Sequence, residues 1–285
     1  MQKFPNPKVS VCIPVYNCRK YIGLAIKSVL SQTFQDFELI IIDNNSTDGT
    51  AEEIARFKDS RINFVHNEVN LGAQNNWNKA LRLAKGELIK LLPADDIIYP
   101  ECLKKQIEVL DDPCNSDVVL VCCARDVINA KGSKIFFRSS GMKKGKVLGQ
   151  EIVARNITAG TNILGEPGAV LFRKNIISKV GEFNGEYPFV IDLDLWVRML
   201  LYGYAYVSPE AYCAVRISNQ SWGFSLGGTQ ADDFCKLVDK LYADKRYNLT
   251  ETDCLRGKLM AKLNRMLRKL FYLFNTITLF FQQDA

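Results

Sequence analysis

The sequence predicts an α/β fold with a mostly parallel sheet and helices on both of its faces. Short β-rich runs alternate with segments of helical hydrophobic spacing through the first part of the chain, and this alternation is typical of βαβ units. Hydrophobic residues make up 47% of the 285 residues, enough to bury the core of one large domain. Polar clusters follow the predicted strands, at the edge where parallel sheets bind ligands.

In order along the chain, the hydrophobic patterns predict a regular series of strands and helices. A buried run at residues 9–13 begins the series, and residues 21–32 carry apolar side chains at helical spacing. Turn-forming residues at 44–50 can cap the helix that follows them. The other strands are expected at 37–42, 62–65 and 87–92, and the other helices at 51–57, 74–84 and 100–110.

The pattern beyond residue 116 is less regular. Its hydrophobic runs predict two strands and a helix, at 117–123, 169–172 and 192–202. The Gly-, Ser- and Lys-rich residues 131–146 are expected to form a mobile surface segment. From about residue 229 the spacing is helical to the end. We therefore expect one domain over residues 1–225 and a helical C-terminal extension over residues 226–285.

The composition argues against several classes of function. A formal net charge of +6 is a modest excess, so the sequence does not indicate a nucleic-acid binder. His66 is the single histidine, which nearly excludes a Ser–His pair or a multi-histidine metal site. The nine cysteines show no CxxC spacing, and neither a signal peptide nor a membrane span is recognisable. We therefore expect a cytoplasmic protein with reduced thiols.

An acidic pair, Asp95 and Asp96, follows the fourth predicted strand and is the strongest chemical signal. Mg²⁺ takes only one or two protein carboxylates and fills its other positions with water and phosphate oxygens. The pair could therefore hold a divalent cation that acts as a Lewis acid on a diphosphate leaving group. Taken alone, such a pair is more often a solvated turn that caps the next helix.

Two further polar clusters follow predicted strands. Asp43 and Asn45 come after the second strand, where a carboxylate can accept a hydrogen bond from a base or a ribose hydroxyl. Gly72 and Asn78 come after the third strand, and the glycine allows a ligand to approach the backbone closely. An Asx turn and an ordinary loop are the alternatives. Because parallel strands end at one edge, we expect these clusters to converge with the acidic pair.

Asp192, at the start of a predicted helix, is the candidate general base. A hydroxyl that attacks an anomeric carbon must lose its proton, and one positioned carboxylate can take it. Such a direct displacement inverts the anomeric centre. Asp192 and Asp194 also favour a helix N-terminus through the helix dipole alone, and both interpretations can hold together.

Four segments, in their order and spacing, resemble the large family 2 of inverting glycosyltransferases: VSVCIPVYN, IIDNNSTDGT, NLGAQNNWNKALRLAKGELIKLLPADD and IDLDLWVRM. Each is weak alone, and together they are highly specific over about residues 8–220. The resemblance implies an A-type glycosyltransferase fold, with a nucleotide part at about 8–115 and an acceptor part at about 116–225. It also implies sugar transfer from a nucleoside diphosphate, UDP above all, to a saccharide or polyprenyl-linked saccharide in cell-surface polysaccharide synthesis, such as O-antigen or capsule.

The resemblance also implies roles for particular residues. Asp96 would be the more direct ligand of Mg²⁺ or Mn²⁺, and Asp95 would lie nearer the ribose and diphosphate. Asp192 would be the catalytic base. The other residues implied to line the nucleotide-sugar pocket are Pro14, Val15, Tyr16, Asn17, Asp43, Asn45, Gly72, Asn78 and Arg216.

The sequence departs from the family pattern at two positions. Pro93 stands where many members have a further acid, which leaves the pair Asp95 and Asp96 intact. Ile191 replaces the usual Glu of a Glu-Asp motif. The absence of this Glu leaves Asp192 as the base but removes a neighbouring carboxylate. The change is expected to affect the exact placement of the acceptor.

The C-terminal residues 255–281 interleave Lys and Arg with apolar side chains and end in FYLFNTITLFF. The apolar end is too short and too interrupted to span a bilayer. A basic amphipathic helix of this kind suits the surface of an anionic membrane, here the inner face of the cytoplasmic membrane. A helix packed on the domain or on a partner subunit is an equal alternative, and the oligomeric state stays open.

Two other functions stay open. A nucleotidyltransferase also combines a nucleotide-binding α/β sheet with acidic metal ligands, but the segment PVYNCRK after the first strand lacks the glycines of a phosphate loop. A module that binds a sugar nucleotide without turnover is favoured only by Ile191.

Overall fold

A computed structural model of the chain describes residues 6–218, 226 and 228–281, with side chains as far as Phe271. Its first part alternates strands and helices as the sequence predicts. These elements are β1 (Val9–Val15), α1 (Arg19–Leu30), β2 (Phe37–Asp43), α2 (Thr50–Ala55), β3 (Ile62–His66), α3 (Gly72–Leu83), β4 (Leu88–Leu91), β5 (Ile97–Ile98) and α4 (Cys102–Asp111).

The second part adds strands to the same sheet and helices to its faces. Its elements are β6 (Val118–Ile128), β7 (Lys134–Arg138), β8 (Gly145–Leu148), α5 (Gly149–Ala159), β9 (Val170–Arg173), α6 (Ile177–Val180), α7 (Ile191–Leu200), β10 (Tyr204–Arg216), α8 (Gln230–Ala243) and α9 (Glu251–Phe281). The boundary expected at residue 225 lies outside the described residues.

One mixed sheet runs in the order β3-β2-β1-β4-β9-β6-β10-β5, with β7 beside β6 and β8 beside β10. Strands β3, β2, β1 and β4 are parallel, and so are β6 and β10, whereas β9 is antiparallel to both β4 and β6. Val15, Asp43 and His66 lie side by side at the ends of β1, β2 and β3. The carboxyl ends of the parallel strands thus form a single edge.

The sheet separates two hydrophobic cores, which is why its central strands read as continuous apolar runs. All seven residues of β1 are buried. Val11 and Ile13 face the core formed with α1 and α4, whereas Cys12 faces the core formed with α3, α5, α7 and α8. Trp196 of α7 is the largest fully buried side chain of the described residues.

Residues 131–146 lie at the surface, as expected, but they form more regular structure than their composition suggests. These residues contain β7, which pairs with β6, and the start of β8, which pairs with β10. The side chains of Lys134, Ile135, Phe136 and Phe137 are exposed. A strand that buries neither face needs no apolar alternation, so the hydrophobic pattern gives no sign of it.

The helix α9 lies against α5 through two glycines. A Cβ atom at Gly257 would come 2.4 Å from the carbonyl oxygen of Ile157, and one at Gly160 would come 2.3 Å from the nitrogen of Ala261. The side chain of Asn264 also donates to the carbonyl of Ala159 at 2.9 Å. One side of α9 is therefore packed on the domain, as the second interpretation of this segment expects.

The opposite side of α9 is exposed and apolar, in a stripe formed by Leu255, Leu259, Leu263, Met266, Leu267 and Leu270. Their spacing of three and four residues places them on one face of the helix. The helices of the described chain include none that is long and apolar enough to cross a membrane. The side chains of residues 272–281, which belong to the segment expected to touch a membrane, lie outside the described residues.

Candidate active site

The loops after β1 and β2 are bound to each other at the carboxyl edge of the sheet. The backbone nitrogen of Asn17 donates to the Ser46 hydroxyl at 2.8 Å, and the Asn17 side chain accepts from the nitrogen of Thr47 at 2.8 Å. Asn17 and Asn45 both have positive φ angles, of 48° and 64°, a conformation that asparagine adopts more readily than most residues. The structure therefore brings residues 14–17 and the cluster after β2 together.

Asp43 is fully buried at the end of β2. One of its carboxylate oxygens accepts from the backbone nitrogen and the hydroxyl of Ser46, and the other lies 2.9 Å from Nδ1 of His66. Asp43 thus fixes two side chains that do reach the surface. His66 was not among the predicted site residues, although its place at the end of a parallel strand is a signal for a ligand-binding edge.

The loop before α3 is joined to β2 through Asn44. The Asn44 amide donates to the side chain of Asn70 at 2.7 Å and accepts from the nitrogen of Leu71 at 2.9 Å. Gly72, next in the chain, has a φ angle of +76°, and no atom lies within 4 Å of the position a Cβ would take. The space beside Gly72 is therefore open to a ligand.

Asn78 does not join this group. Its amide nitrogen donates to the carbonyl of Phe183 at 2.9 Å, and its amide oxygen accepts from the nitrogen of Phe183 at 2.9 Å. The side chain is buried and links α3 to the segment before α7. We therefore correct its assignment to the pocket, because both of its polar groups are already used by backbone.

The acidic pair lies where β4 ends and is fixed by the end of β10. The backbone nitrogen of Arg216 donates to one oxygen of Asp96 at 2.8 Å, and its Nε donates to the carbonyl of Asp95 at 2.9 Å. The guanidinium group also donates to the carbonyl of Asn129 at 3.0 Å and stacks on the ring of Tyr21 at 4.6 Å. Arg216 is buried and thus shapes the acidic loop.

The electrostatics of this pair suit a divalent cation. Burial raises the pKa of Asp95 and raises that of Asp96 well above its usual range, and the charge of Asp95 adds to the second effect. Among the described residues, no side chain donates to Asp95 or to the second oxygen of Asp96. The charge of Arg216 lowers both pKa values but does not offset the effect of burial. Two crowded carboxylates with most of their oxygens free of side-chain donors are a fitting donor set for a hard cation.

The protein alone does not supply a complete set of metal ligands among the described residues. The described part of the chain contains no group of three or more His, Cys, Asp and Glu side chains that could hold a metal ion. A cation at Asp95 and Asp96 would therefore need oxygen atoms from a ligand or water to complete its coordination, as Mg²⁺ usually does.

Asp192 lies at the start of α7, where Asn162 holds it. One carboxylate oxygen accepts from the Asn162 amide at 3.0 Å, and the other accepts from the nitrogen of Leu193 at 2.7 Å. Burial, with a smaller contribution from the charge of Glu166, raises the pKa of Asp192 to about 7. A carboxylate with such a pKa can act as a general base near neutral pH. Asp194 instead pairs with Arg198 at 2.7 Å.

Glu166 influences both parts of the site, because its charge raises the pKa of Asp96 and that of Asp192. Its carboxylate is 2.5 Å from Nε of Arg125 and 3.5 Å from a guanidinium nitrogen of Arg138. Burial alone would raise the pKa of Glu166, but these arginines lower it to about 2. This cluster could not be predicted from the sequence, since no local pattern relates residues on β6, β7 and the loop before β9.

A cavity of about 760 Å³ lies away from these residues. Its lining includes Leu88, at the amino end of β4, and Arg173, which pairs with Leu88 in the sheet. It therefore opens at the edge of the sheet opposite the acidic pair and does not belong to the candidate site.

Comparison with known proteins agrees with this arrangement. Residues 10–181 match the glycosyl transferase family 2. A glycosyltransferase of Rickettsia typhi, itself uncharacterized, is 29% identical over 212 residues, which cover 74% of this chain and 64% of the relative. The chain thus spans less than two thirds of that relative's length.

Solved structures show the same fold. S. aureus TarS in complex with UDP-GlcNAc is 21% identical with a TM-score of 0.65, over 90% of this chain and 72% of TarS. The mannosyltransferase PcManGT of Pyrobaculum calidifontis, in complex with GDP-Man and Mn²⁺, is 16% identical with a TM-score of 0.59, over 96% and 81%. At these identities the likeness concerns the fold, and the expected A-type glycosyltransferase fold is confirmed. With the family match extending over more than half of its residues, the chain belongs to glycosyl transferase family 2.

Proposed function

We propose that this chain is a metal-dependent inverting glycosyltransferase that moves a sugar from a nucleoside diphosphate to an acceptor hydroxyl. The observation that carries the proposal is the presence of two different carboxylate environments, on both of which the charge of Glu166 acts. Asp95 and Asp96 form a crowded, buried acidic pair, whereas Asp192 is a single carboxylate with a pKa of about 7. The first arrangement suits a cation beside a diphosphate, and the second suits a general base.

The donor would bind across the loops that follow β1, β2 and β3. In this proposal Pro14, Val15, Tyr16 and Asn17 border the nucleoside, together with Asn45 and Gly72. Tyr16 is exposed and the space beside Gly72 is open, which supports such a pocket. Because Asp43 is fully buried, it would act by holding Ser46 and His66 in place.

The nucleotide is proposed to be uridine diphosphate, as the family resemblance implies. The names of two structural neighbours record UDP-GlcNAc for one and GDP-Man for the other, so the base has to be found by experiment. Mg²⁺ or Mn²⁺ at Asp96 and Asp95 would supply positive charge to the leaving diphosphate. Arg216 would maintain the shape of this acidic loop through its bonds to both residues.

The chemical step would be one displacement. Asp192 would take the proton from the acceptor hydroxyl as that oxygen bonds to the anomeric carbon, while the bond from that carbon to the diphosphate oxygen breaks. The diphosphate leaves with the bonding electron pair, and the configuration at the anomeric carbon is inverted. Asn162 would keep the receiving oxygen of Asp192 in position through its bond of 3.0 Å.

The acceptor is proposed to be a saccharide or a polyprenyl-linked saccharide of a cell-surface polysaccharide. The exposed apolar stripe of α9, flanked by Lys262, Arg265 and Lys269, supports contact with the surface of an anionic membrane. The contact would bring the acceptor part of the site close to lipid-borne substrates.

A thermal-shift panel of nucleoside diphosphates and their sugars, with and without Mn²⁺, tests the proposal first. A ligand that binds only the folded state raises its stability by RT ln(1 + [L]/Kd), so the correct donor should raise Tm above its competitors. Product analysis with the selected donor should then show transfer or hydrolysis that Asp192→Asn abolishes. Transfer at the wild-type rate in Asp192→Asn would refute the assignment of the base, and Tm values that no sugar nucleotide changes would refute the donor site.

A further inference from the structure

We propose that Arg138 of β7 and Arg268 of α9 form a subsite for the phosphate group of a lipid-linked acceptor, next to Asp192. This inference rests on the proposed function, because it names the chemical class of the acceptor. It concerns residues outside the donor loops and outside the acidic pair. Four features of the structure support it: a shared contact, an uncompensated charge, aromatic rings beside each arginine, and an exposed apolar surface.

The two arginines meet at one residue next to the site. Arg138 lies 3.4 Å from the hydroxyl of Thr161, and Arg268 donates to the same hydroxyl at 3.1 Å. The following residue, Asn162, holds Asp192 at 3.0 Å. The guanidinium groups of Arg138 and Arg268 therefore meet at Thr161, the residue before Asn162, which positions Asp192.

Among the described residues, Arg138 and its neighbour Arg125 carry more positive charge than the one carboxylate between them. Arg125 and Arg138 share one carboxylate, that of Glu166, and the contacts of Arg138 at 3.4 and 3.5 Å are at the outer limit of hydrogen bonding. Arg125 is buried, and none of its guanidinium nitrogens has a well-aligned hydrogen bond in the described structure. Burial and the charge of Arg125 lower the pKa of Arg138. A further anion at Arg138 would relieve this repulsion, and a phosphate offers the bidentate geometry that guanidinium groups prefer.

An aromatic ring accompanies each arginine on its own element. Phe136 is two residues from Arg138 and so lies on the same face of β7. Phe271 is three residues from Arg268 and so lies on the same side of α9. The two rings meet edge to face with their centroids 5.8 Å apart. Each ring therefore lies beside its own arginine, and the first carbons of a lipid bound through its phosphate could extend over the two rings.

An exposed apolar surface continues from these rings. Phe136 of β7 is exposed, and so is Leu267 of the α9 stripe, which lies one helical turn before Phe271. The charge and the apolar surface therefore have the order of a lipid phosphate: the anionic group near the base and the hydrocarbon away from it. A saccharide without a phosphate or a lipid would contact neither the arginines nor the apolar surface in this way.

Calorimetry with geranyl diphosphate, inorganic pyrophosphate and geraniol tests the subsite directly, in EDTA so that no cation assists binding at the acidic pair. Wild-type protein should bind geranyl diphosphate at least tenfold more tightly than pyrophosphate and should not bind geraniol. Arg138→Gln and Arg268→Gln should each weaken geranyl diphosphate at least tenfold, and Arg138→Lys should weaken it less. Phe136→Ser should reduce the advantage of geranyl diphosphate over pyrophosphate.

Controls separate this site from the donor site and from loss of folding. Arg155→Gln, an exposed arginine that pairs with Glu151 on α5, should bind geranyl diphosphate as the wild type does. Binding of the donor nucleotide with Mn²⁺ should be unchanged in Arg138→Gln and in Arg268→Gln, and a cooperative thermal transition of each variant should show that it is folded. The subsite is refuted if Arg138→Gln and Arg268→Gln bind geranyl diphosphate normally, or if they weaken the nucleotide equally. Equal affinities of the wild type for pyrophosphate and geranyl diphosphate would refute the lipid part of the proposal.

A kinetic comparison tests the role of the subsite in transfer. With a sugar linked to a lipid diphosphate, Arg138→Gln should raise the acceptor KM at least tenfold and change kcat less than twofold. With the same sugar as a neutral alkyl glycoside, it should change neither constant, and equal effects on both acceptors would refute the role in transfer. If no sugar nucleotide supports transfer, the proposed function fails while the calorimetric result still decides whether the anion subsite exists.

Discussion

Replacing Asn162 by alanine should move the pH dependence of transfer to higher pH. The Asn162 amide donates to the carboxylate of Asp192 at 3.0 Å and stabilises its charged form. A hydrogen bond to a charged group contributes about 1.5–3 kcal/mol, and we take the lower end because Asp192 is only partly buried. Since 1.36 kcal/mol corresponds to one pKa unit, the pKa of Asp192 should rise by about one unit from its value of about 7.

The expected effect depends on pH in a specific way. At pH 7 the fraction of Asp192 in the basic form should fall about fivefold, whereas at pH 9 the variant and the wild type should differ by only about 10%. The assay is kcat/KM for the acceptor between pH 5.5 and 9, because this constant reports the ionisation of the free enzyme. Asn175→Ala, which removes an exposed asparagine on the opposite edge of the sheet, is the matched control. A loss of activity that is equal at every pH would refute the proposed role of Asn162 in setting the pKa.

Three further substitutions probe the remaining parts of the site. Asp96→Asn should lower transfer at least a hundredfold and leave Tm unchanged or higher, since it removes repulsion within the acidic pair; wild-type transfer would contradict the metal assignment. Glu166→Gln should destabilise the fold by about 3 kcal/mol, measured by denaturant unfolding, because it leaves Arg125 buried without its carboxylate. The same variant should lower the pKa of Asp192, and an unchanged pH profile would show that the two carboxylates do not interact. Gly72→Ala should cost about 1 kcal/mol of stability through its positive φ angle alone, because no atom lies near its Cβ position; a much larger loss would contradict that open space.

The nucleotide-binding half of the fold was predictable because its strands are buried on both faces. Each of them is a short apolar run, and each is followed by a helix with apolar residues at helical spacing. The strands also end at one edge, so the order of the polar clusters along the chain was enough to expect that they would converge. Residues 14–17 and the cluster after Asp43 do meet there.

The acceptor side was less predictable, because its features depend on pairs distant in sequence. Arg125 is buried by its pairing with Glu166, which lies on a different element, and no composition or periodicity of either segment indicates this. Asn78 shows the opposite problem. Its position in a polar cluster suggested a ligand contact, but a backbone partner 105 residues away uses both of its polar groups.

The burial of Ile191 explains why this position carries an apolar residue. The resemblance implies an acid there, whereas Ile191 is buried and belongs to the core shared with α5 and α8. An acid in this environment would need a partner of opposite charge. The carboxylate whose charge raises the pKa of Asp192 is instead that of Glu166. Two arginines, Arg125 and Arg138, stabilise the charged form of Glu166.

The close fit of α9 on α5 has a practical consequence for anyone who shortens this protein. Truncations of this kind usually aim to remove exposed apolar surface that promotes aggregation. Removing the residues beyond 250 would remove the exposed apolar stripe of α9. It would also uncover the backbone of α5 at Ile157 and Gly160, which the glycine contact protects, and it would delete Arg268. The trimmed enzyme would therefore lose support for the segment that carries Asn162, and any weak activity would reflect the deletion rather than the catalyst.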